Sequence, residues 1–477
     1  MIVSILIKIG VVALSIGLSI FLFSASIGKR SFLLLALVCL WLGYFSSCLS
    51  DGLVQMTEPV VFTAVGAQNA ASKGNQIFIS GFTADGEKKN IYSSTGGTWA
   101  KIEKNKGGGD NKWYWVWFAA GDDRCPAGET NTLTIEIPVG KTRSVQFMGH
   151  AWGGIVSFEL EGKKYTADTY SAESPTVTTE VDASSAALLA EQQMRRLPYF
   201  AVIYLFLATA LLTVMRYVTQ TDTYKKLEKR GFLFHVLVRR DFILKYKRTM
   251  LGMLWSLLSP LINLLIMWLV FNQILASNID HFVIYMFAGQ LVFSYFADAT
   301  TQGMNSLLEN AGIITKINVP KFMFLLSKNI SSLINFFLTL LVFFIFVAAD
   351  GLPFTGKYLL LVYPTVCLIV FNIGTGLILS ALYVFFRDMQ YLWGLLTQLI
   401  MWVSAIFYSI DNYPQVFQNI FLLNPIYLFI RYFRKIVIES TVPTLGFHLM
   451  IAGYTLLSLG IGCFMYKKYN HEFLYYI

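Results

Sequence analysis

The chain has 477 residues, of which 55% are hydrophobic and 14% are charged, and its mean hydropathy is +0.57. Soluble globular domains carry about 25% charged residues, so this composition excludes a soluble protein and predicts one that crosses a membrane several times. The net charge of +9 does not indicate a nucleic-acid partner, because the lysines and arginines are grouped beside apolar segments.

Two apolar runs occupy residues 1–50, namely Ile9–Ile27 and Ser31–Ser50, and Gly28-Lys29-Arg30 separates them. A bilayer core about 30 Å thick needs roughly 20 apolar residues per helix, so each run predicts a transmembrane helix. The first run shows neither the basic region nor the small-residue cleavage site of a signal peptide.

Residues 51–196 differ from the rest of the chain, because Gly, Ser, Thr and Asn are common there and long apolar runs are absent. Alternating apolar and polar residues predict strands at Gln76–Phe82, Trp113–Phe118, Thr132–Val139, Val145–Gly149, Ile155–Leu160 and Thr176–Val181. Turn residues such as Glu161-Gly162 separate them. Seven or eight short strands at this spacing predict an antiparallel sandwich, jelly-roll-like in form. A short helix at Ala183–Met194 and a transmembrane helix at residues 197–217 follow.

Five tryptophans of this segment are candidate sugar-binding residues. The run from Trp113 to Phe118 places rings on both faces of one predicted strand, and only one face is needed for the core. Sugars stack their C–H faces on aromatic rings. We therefore predict a carbohydrate platform formed by Trp99, Trp113, Trp115, Trp117 and Trp152. A structural cap is the alternative role for this segment.

Residues 218–250 contain a dense group of lysines and arginines beside an apolar run. Such a group marks the cytoplasmic side of a membrane, so residues 51–196 are predicted to be extracytoplasmic. Residues 228–248 predict a basic amphipathic helix in the cytoplasmic interface. Its charged face carries Arg239, Asp241, Lys245 and Arg248, and Arg240 is predicted to snorkel. Its apolar face carries Phe232, Leu233, Val236, Leu237, Ile243 and Leu244.

Residues 251–477 are predicted to form a six-helix membrane domain, which brings the total for the chain to nine transmembrane helices. The six predicted helices are Thr249–Ile279, His281–Leu308, Asn329–Ala349, Tyr358–Phe386, Met389–Ile410 and Thr441–Tyr466. The intervening segment Asn412–Ile430 contains Pro414 and Pro425, and it predicts a re-entrant hairpin on the outer side.

Four motifs in this half occur in a recognisable order. They are Arg240-Asp241 with Lys245-Tyr246-Lys247-Arg248 and the run Leu251 to Pro260; Ser306 to Asn310 continuing to Lys321; Arg387-Asp388; and Asn424-Pro425. Over about residues 230–470 the chain resembles the permease subunits of ABC transporters that export O-antigen, capsule and teichoic-acid polysaccharides. That family usually has a proline near the end of its fifth helix, where this chain has Val403 to Tyr408.

The resemblance implies a homodimeric permease of the plasma (inner) membrane that moves a lipid-linked glycan outward, without catalytic residues, metal or cofactor of its own. Two copies of a partner ATPase subunit would bind Mg-ATP; in this chain Gly140-Lys141-Thr142 lacks the first glycine of a phosphate-binding loop. The resemblance places ATPase coupling at Ser306, Leu307, Glu309, Asn310 and Lys316. It places access of the lipid-pyrophosphate head group at Arg239, Arg240, Lys245 and Arg248, which also face membrane lipid.

Aromatic residues are frequent in the predicted helices, and aromatic walls let a glycan slide without tight binding. The predicted channel residues are Trp255, Tyr285, Phe293, Trp402, Phe407 and Tyr408, together with the intramembrane Asp298. An outer gate is predicted at Asn424, Pro425, Arg431 and Arg434, although snorkelling into outer head groups is the favoured role for the two arginines.

Two alternative functions remain open from the sequence. A small-molecule or drug exporter of the same ABC class would need neither the sugar platform nor the aromatic channel. A membrane glycosyltransferase would carry paired carboxylates in a loop near the membrane, and no such motif is evident.

Overall fold

A computed structural model describes residues 4–13, 29–68, 70–72, 77–85, 87–89, 94–95, 100–103, 113–117, 132–149, 153–171, 176–220, 231–246, 255–270, 281–316, 319–410 and 413–476. The chain divides into two compact units, Met1–Ala210 and Leu211–Ile477. The first unit combines helices with β-structure, and the described part of the second unit is helical.

The strands of the first unit all pair antiparallel. They are β1 (Thr57–Gln68), β2 (Ile77–Ala84), β3 (Glu87–Lys89), β4 (Ser94–Thr95), β5 (Ala100–Glu103), β6 (Trp113–Trp117), β7 (Thr132–Pro138), β8 (Arg143–Met148), β9 (Gly154–Leu160), β10 (Lys163–Asp168) and β11 (Thr176–Val181). One sheet has the order β10-β9-β1-β7-β4, and the other has the order β11-β8-β2-β6-β5, with β3 paired to β2.

Buried side chains from both sheets belong to one apolar cluster. Phe62 of β1 lies opposite Leu133 of β7 and Phe158 of β9. Its ring is 5.2 Å from that of Phe158 and 6.4 Å from that of Phe147 on β8, between ring centroids. The alternation that predicted the strands is thus the alternation of buried and outward side chains.

The six predicted strands are confirmed, with small shifts at their ends. β1, β3, β4, β5 and β10 were not predicted. The residues of β1 and β10 do not alternate cleanly between apolar and polar, and β3, β4 and β5 have only 3, 2 and 4 residues. β10 begins with two lysines at the edge of its sheet, where charged residues discourage pairing with another chain. The predicted turn at Glu161-Gly162 is confirmed; both residues have positive φ, which is the backbone of a type I′ hairpin turn.

A buried ion pair links β1 and β8. The guanidinium of Arg143 contacts the carboxylate of Glu58, and both side chains are buried. Arg143 also donates from Nε, at 2.9 Å, and from Nη2 to the carbonyl of Asp182, which follows β11. Burial lowers the pKa of Arg143, and the carboxylates of Glu161 and Asp182 oppose this shift.

The helices of the first unit are α1 (Ser4–Ala13), α2 (Lys29–Leu53) and the beginning of α3 (Ala186–Gln220). The short helix predicted at Ala183–Met194 is the first part of α3, which begins at Ala186 and continues through Pro198. Arg196 of α3 donates to the carbonyl of Val54 at 2.8 Å, which joins α3 to the end of α2.

The second unit contains α4 (Gly231–Tyr246), α5 (Trp255–Trp268), α6 (Phe282–Glu309), α7 (Ala311–Ile314), α8 (Phe322–Ala349), a 3-10 helix (Gly356–Leu361), α9 (Val362–Phe385), α10 (Met389–Val403), α11 (Gln415–Phe421), α12 (Pro425–Val437), α13 (Leu445–Tyr469) and α14 (Phe473–Tyr476). Gly374 lets α9 and α13 approach closely, since a Cβ there would lie 2.5 Å from the α13 backbone. Small residues at crossings are typical of membrane helices.

Within the described residues, six helices are long and apolar enough to cross a membrane: Leu35–Leu53, Ala186–Leu211, Phe282–Glu309, Phe322–Ala349, Gly356–Phe385 and Leu445–Tyr469. The predicted helix Met389–Ile410 was wrong in length, because α10 has 15 residues and ends at Val403. At 1.5 Å per residue it is about 22 Å long, shorter than a bilayer core of about 30 Å. Most of Ile9–Ile27 and parts of Thr249–Ile279 lie outside the described residues.

Candidate functional site

At the end of α10, side chains donate hydrogen bonds to backbone carbonyls that have no partner within the helix. Ala405 has a φ of 50°, a left-handed conformation that stops the helix where the sequence has no proline. The last carbonyls of a helix have no helical partner, and inside a membrane such groups must be satisfied by the protein. Tyr408 donates its hydroxyl to the carbonyl of Trp402 at 2.7 Å, and Asn424 donates to that of Val403 at 3.2 Å.

Asn424 and Pro425 begin α12, which with α11 and the intervening turn forms a structure we call the hairpin. Asn424 accepts from the backbone N–H of Ile426 at 3.0 Å and is the N-cap of α12, and Pro425 takes the first helical position. The Nδ2 of Asn424 also donates to Oγ of Ser404 at 2.9 Å. The Asn-Pro motif therefore begins one helix and helps to terminate another.

Arg434 of α12 lies near this terminus, and its side chain is buried, with 1% of the residue exposed. Its Nη1 donates to the carbonyl of Ala405 at 2.9 Å and its Nη2 to that of Ile406 at 3.0 Å. Its Nε donates to the carbonyl of Tyr285 on α6 at 3.2 Å, and its Cζ lies 3.4 Å from the centre of the Tyr285 ring. The prediction that Arg434 snorkels was wrong, because its donors are directed to buried carbonyls.

Arg431 lies one turn before Arg434 and is half-buried. Its Nη1 is 2.6 Å from Oε1 of Glu439, so an acidic partner neutralises it. The gate role predicted for Arg431 and Arg434 stays a prediction. Their present partners are a carboxylate and backbone carbonyls.

A second polar cluster, which we call the Asn310 network, consists of Arg240, Asp241, Ser327 and Asn310. Arg240 donates from Nη2 to Oδ1 of Asp241 and to Oδ1 of Asn310, both at 2.7 Å. Ser327 of α8 donates to the other oxygen of Asp241 at 2.7 Å. Asn310 donates in turn to the carbonyl of Ser306 at 2.8 Å. The network thus joins α4 to α8 and to the C-terminal end of α6.

The orientation of α4 corrects the predicted amphipathic pattern. Leu237 and Asp241, which are one turn apart, are buried against other helices of the second unit, whereas Phe232 of the predicted apolar face is 85% exposed. Arg240 does not snorkel into a lipid surface; its side chain is 30% exposed and bound to Asp241. Arg239 is exposed. The side chain of Lys245 and all of Arg248 lie outside the described part of the chain.

The predicted coupling residues fall into two groups. Ser306, Leu307 and Asn310 are buried within the chain's own core. Glu309 and Lys316 are exposed, and Glu309 is 2.7 Å from Nζ of Lys328 on α8. Contact of this segment with an ATPase stays a prediction. Of the predicted coupling residues, Glu309 and Lys316 are the ones exposed for such a contact.

The predicted channel residues have different surroundings. Tyr285, Phe407 and Tyr408 cluster with Trp402 near the end of α10, where Tyr285 donates its hydroxyl to the carbonyl of Tyr408 at 2.9 Å. Phe293 is buried on α6 and Asp298 is half-buried on the same helix. Trp255 and Trp402 are exposed. The channel role of all seven stays a prediction.

The predicted carbohydrate platform is described only in part. The backbone of Trp113, Trp115 and Trp117 forms β6, as predicted, and alternation places the three on one face of the strand. Their side chains lie outside the described part of the structure, as do the whole of Trp99 and Trp152.

Sequence reasoning missed Ser327 and Gly289. A Cβ at Gly289 of α6 would lie 3.0 Å from Nη2 of Arg434 and 3.0 Å from Cγ2 of Ile406, so the glycine makes room for both. Glycine costs about 1 kcal/mol relative to alanine in a helix, and its position within an apolar span was a usable signal. Ser327 gave no comparable signal.

Comparison with known proteins covers this second unit. Residues 232–438 match the family of ABC-2 type transporter membrane domains. An O-antigen export system permease protein, RfbA, of Klebsiella pneumoniae is 27% identical over 246 residues, which are 50% of this chain and 95% of the relative.

Two further relatives are more distant. The capsule polysaccharide export inner-membrane protein CtrC of Neisseria meningitidis serogroup B is 24% identical over 263 residues, or 54% of this chain and 98% of the relative. The polysialic acid transport protein KpsM of Escherichia coli is 23% identical over 243 residues, or 50% and 93%.

The candidate spans and their buried helix crossings define a multi-pass helical membrane protein. Within it, residues 232–438 match the ABC-2 type transporter membrane domain, so this part of the second unit is similar to that family. The resemblance to polysaccharide-export permeases is confirmed over about half of the chain.

Proposed function

We propose that this chain is the permease subunit of an ABC exporter that moves a lipid-linked polysaccharide outward across the plasma membrane, driven by a separate ATPase subunit. The observation that carries the proposal is the extent of the matches. Export permeases for O-antigen, capsule and polysialic acid align over 93% to 98% of their own lengths. Because nearly the whole of each relative matches half of this chain, the matches support a shared type of cargo.

We propose that the Asn310 end of the second unit faces the cytoplasm. Lys321 contacts the carbonyl of Asn470, so the end of α13, with Lys467 and Lys468, lies at the same end of the bundle as the turn after α6. Exposed basic residues near helix ends favour the cytoplasmic side. Residues 51–196 would then be extracytoplasmic, where we propose a β-sandwich that contacts the glycan, with a structural cap as the alternative.

We propose that the glycan path lies between two copies of the chain. The interior of one bundle is filled by rings such as Phe296, Phe371 and Trp393, with centroids about 6 Å apart. By contrast, Tyr391, Leu395 and Trp402 project from α10 as an exposed apolar face. A second copy facing α10 would enclose a path between the two chains.

The experiment is purification of the full chain with the ATPase that accompanies it, followed by reconstitution and assay of ATP turnover. A lipid-linked glycan is expected to stimulate turnover, and the lipid carrier alone and a small amphiphilic drug are the controls. Cells lacking the chain are expected to accumulate lipid-linked glycan inside. Equal stimulation by the drug would instead favour a small-molecule exporter, and purification without any ATPase would refute the proposal.

A further inference from the structure

Arg434 joins three segments that are distant in the chain. Its side chain belongs to α12. The guanidinium donates to the carbonyl of Tyr285 on α6 and to those of Ala405 and Ile406, which follow the end of α10. The Arg434 and Tyr285 positions are 149 residues apart. Arginine suits this position because its planar fork carries five N–H donors, whereas lysine offers a single point charge.

Tyr285 adds a second connection between α6 and the broken helix. Its ring lies 3.4 Å from Cζ of Arg434, and its hydroxyl donates to the carbonyl of Tyr408. One turn further along α6, Gly289 leaves the space that the guanidinium and Ile406 occupy. The hairpin and the end of α10 are therefore fastened to one short stretch of α6.

The other end of α6 belongs to the Asn310 network. α6 has 28 residues and no interruption, which corresponds to about 42 Å at 1.5 Å per residue. A continuous helix of this length transmits a displacement of one end to the other. α10, which is short and broken, has no such reach.

We propose that Arg434 is a positioning residue for transport, which fastens the hairpin and the end of α10 to α6 so that movement of the Asn310 end of α6 moves the hairpin. This inference rests on the proposed function, because it assigns the Asn310 end to the ATPase and the hairpin to the exit. Arg434 acts through the hairpin and is given no contact with the glycan.

The test compares export with ATP turnover in the same reconstituted preparation. Arg434→Met removes all the donors but keeps an unbranched side chain, and Tyr285→Phe removes only the hydroxyl bond. Glycan exported per ATP is expected to fall about tenfold or more in Arg434→Met and by about twofold to fivefold in Tyr285→Phe, since several charge-assisted bonds are lost in the first and one neutral bond in the second. ATP turnover is expected to persist.

Lys357→Met is the matched control. Lys357 also donates to a carbonyl, that of Ser440 at 2.7 Å, but Ser440 belongs to neither α6 nor α10. Export per ATP is expected to stay at the wild-type value in this variant. A loss equal to that of Arg434→Met would show that any cation–carbonyl bond matters, and it would overturn the inference.

An engineered disulfide tests whether Arg434 links α6 to the end of α10 mechanically or only supports the fold in general. Gly289→Cys and Ile406→Cys are combined with Arg434→Met, because a Cβ at Gly289 would lie 3.4 Å from Cα of Ile406 and the absent guanidinium leaves room for sulfur. Oxidation is expected to restore export per ATP, and reduction to abolish it. Arg434→Met under the same oxidant controls for the native cysteines.

The inference is overturned if a folded Arg434→Met exports at the wild-type ratio, or if the disulfide forms without restoring export. If Arg434→Met does not reach the membrane, Tyr285→Phe decides, and an unchanged ratio in that variant overturns the inference. A wild-type complex that neither hydrolyses ATP nor exports glycan refutes the proposed function instead.

Discussion

Arg239 and Arg240 are neighbours on α4 with opposite surroundings, and replacing each by glutamine separates their roles. Arg239 is exposed, whereas Arg240 donates to Asp241 and Asn310. The family resemblance placed both at the access of the lipid-pyrophosphate head group. We predict that Arg240→Gln destabilises the second unit and that Arg239→Gln does not.

The magnitude follows from the burial of Asp241, whose side chain is 2% exposed. In Arg240→Gln this carboxylate keeps the bond from Ser327 but loses the guanidinium. Removing one partner of a buried ion pair costs about 3 to 5 kcal/mol. Arg240 is partly exposed, so solvent already weakens its interaction, and we expect a loss at the lower limit, about 3 kcal/mol.

Thermal unfolding of the full chain in detergent measures this effect. A loss of about 3 kcal/mol lowers the midpoint by roughly 6 °C, at about 2 °C per kcal/mol for a unit of some 250 residues. Arg240→Gln combined with Asp241→Asn is expected to lose less than Arg240→Gln alone, because no buried charge is left unpaired. Equal midpoints for Arg240→Gln and Arg239→Gln would refute the reasoning.

Three further predictions concern the packing of both units. Gly374→Ala is expected to cost about 1 to 3 kcal/mol or more by overpacking, since the new Cβ meets the α13 backbone, whereas a Cβ at Gly460 meets nothing within 4 Å, so Gly460→Ala should not lower the thermal midpoint. Arg143→Met leaves Glu58 buried without its partner and is expected to destabilise the sheets by about 3 to 5 kcal/mol, measured as faster proteolysis of residues 51–185 in the full chain. Asn424→Ala removes the N-cap of α12, which alone costs about 1 kcal/mol, and two bonds to the end of α10; a midpoint equal to that of the wild type would contradict the role assigned to this residue.

Periodicity predicted most of the helices and strands because burial acts on local sequence. The predicted helices at His281–Leu308 and Asn329–Ala349 correspond to α6 and α8, and alternation located β7 and β9. These elements bury one face or a whole surface, and that requirement appears directly in hydropathy. The β10 strand escaped prediction because an edge strand needs little apolar surface.

The roles of individual charged residues could not be predicted in this way. Asp241 was assigned to a polar face by its helical position, but it points into the bundle because Ser327 and Arg240 satisfy it there. Arg240 and Asn310 are 70 residues apart in the sequence. Hydropathy and helical position carry no information about such a partner, so a charged residue that is buried and paired looks the same in sequence as one that faces solvent.

The break after α10 was likewise invisible, since Val403-Ser404-Ala405-Ile406 contains neither proline nor glycine. The conformation of Ala405 is unfavourable for a residue with a Cβ, and non-glycine residues adopt it where the surroundings compensate. The compensation here comes from donors on other helices, above all Arg434. The break is therefore a property of the packed bundle and not of the local sequence.

Arg240 and Arg434 both contact the C-terminal end of another helix, and this suggests a rule for reading such sequences. Arg240 contacts Asn310, the C-cap of α6, and Arg434 contacts the carbonyls that follow α10. Helix C-termini carry partial negative charge and unsatisfied carbonyls, so a cation is favoured there even in apolar surroundings. Basic flanks explain the placement of lysines and arginines at the ends of apolar helices, but not of an arginine that lies within an apolar region, as Arg434 does. An arginine of that kind indicates a broken helix nearby, and in this chain it marks the hairpin.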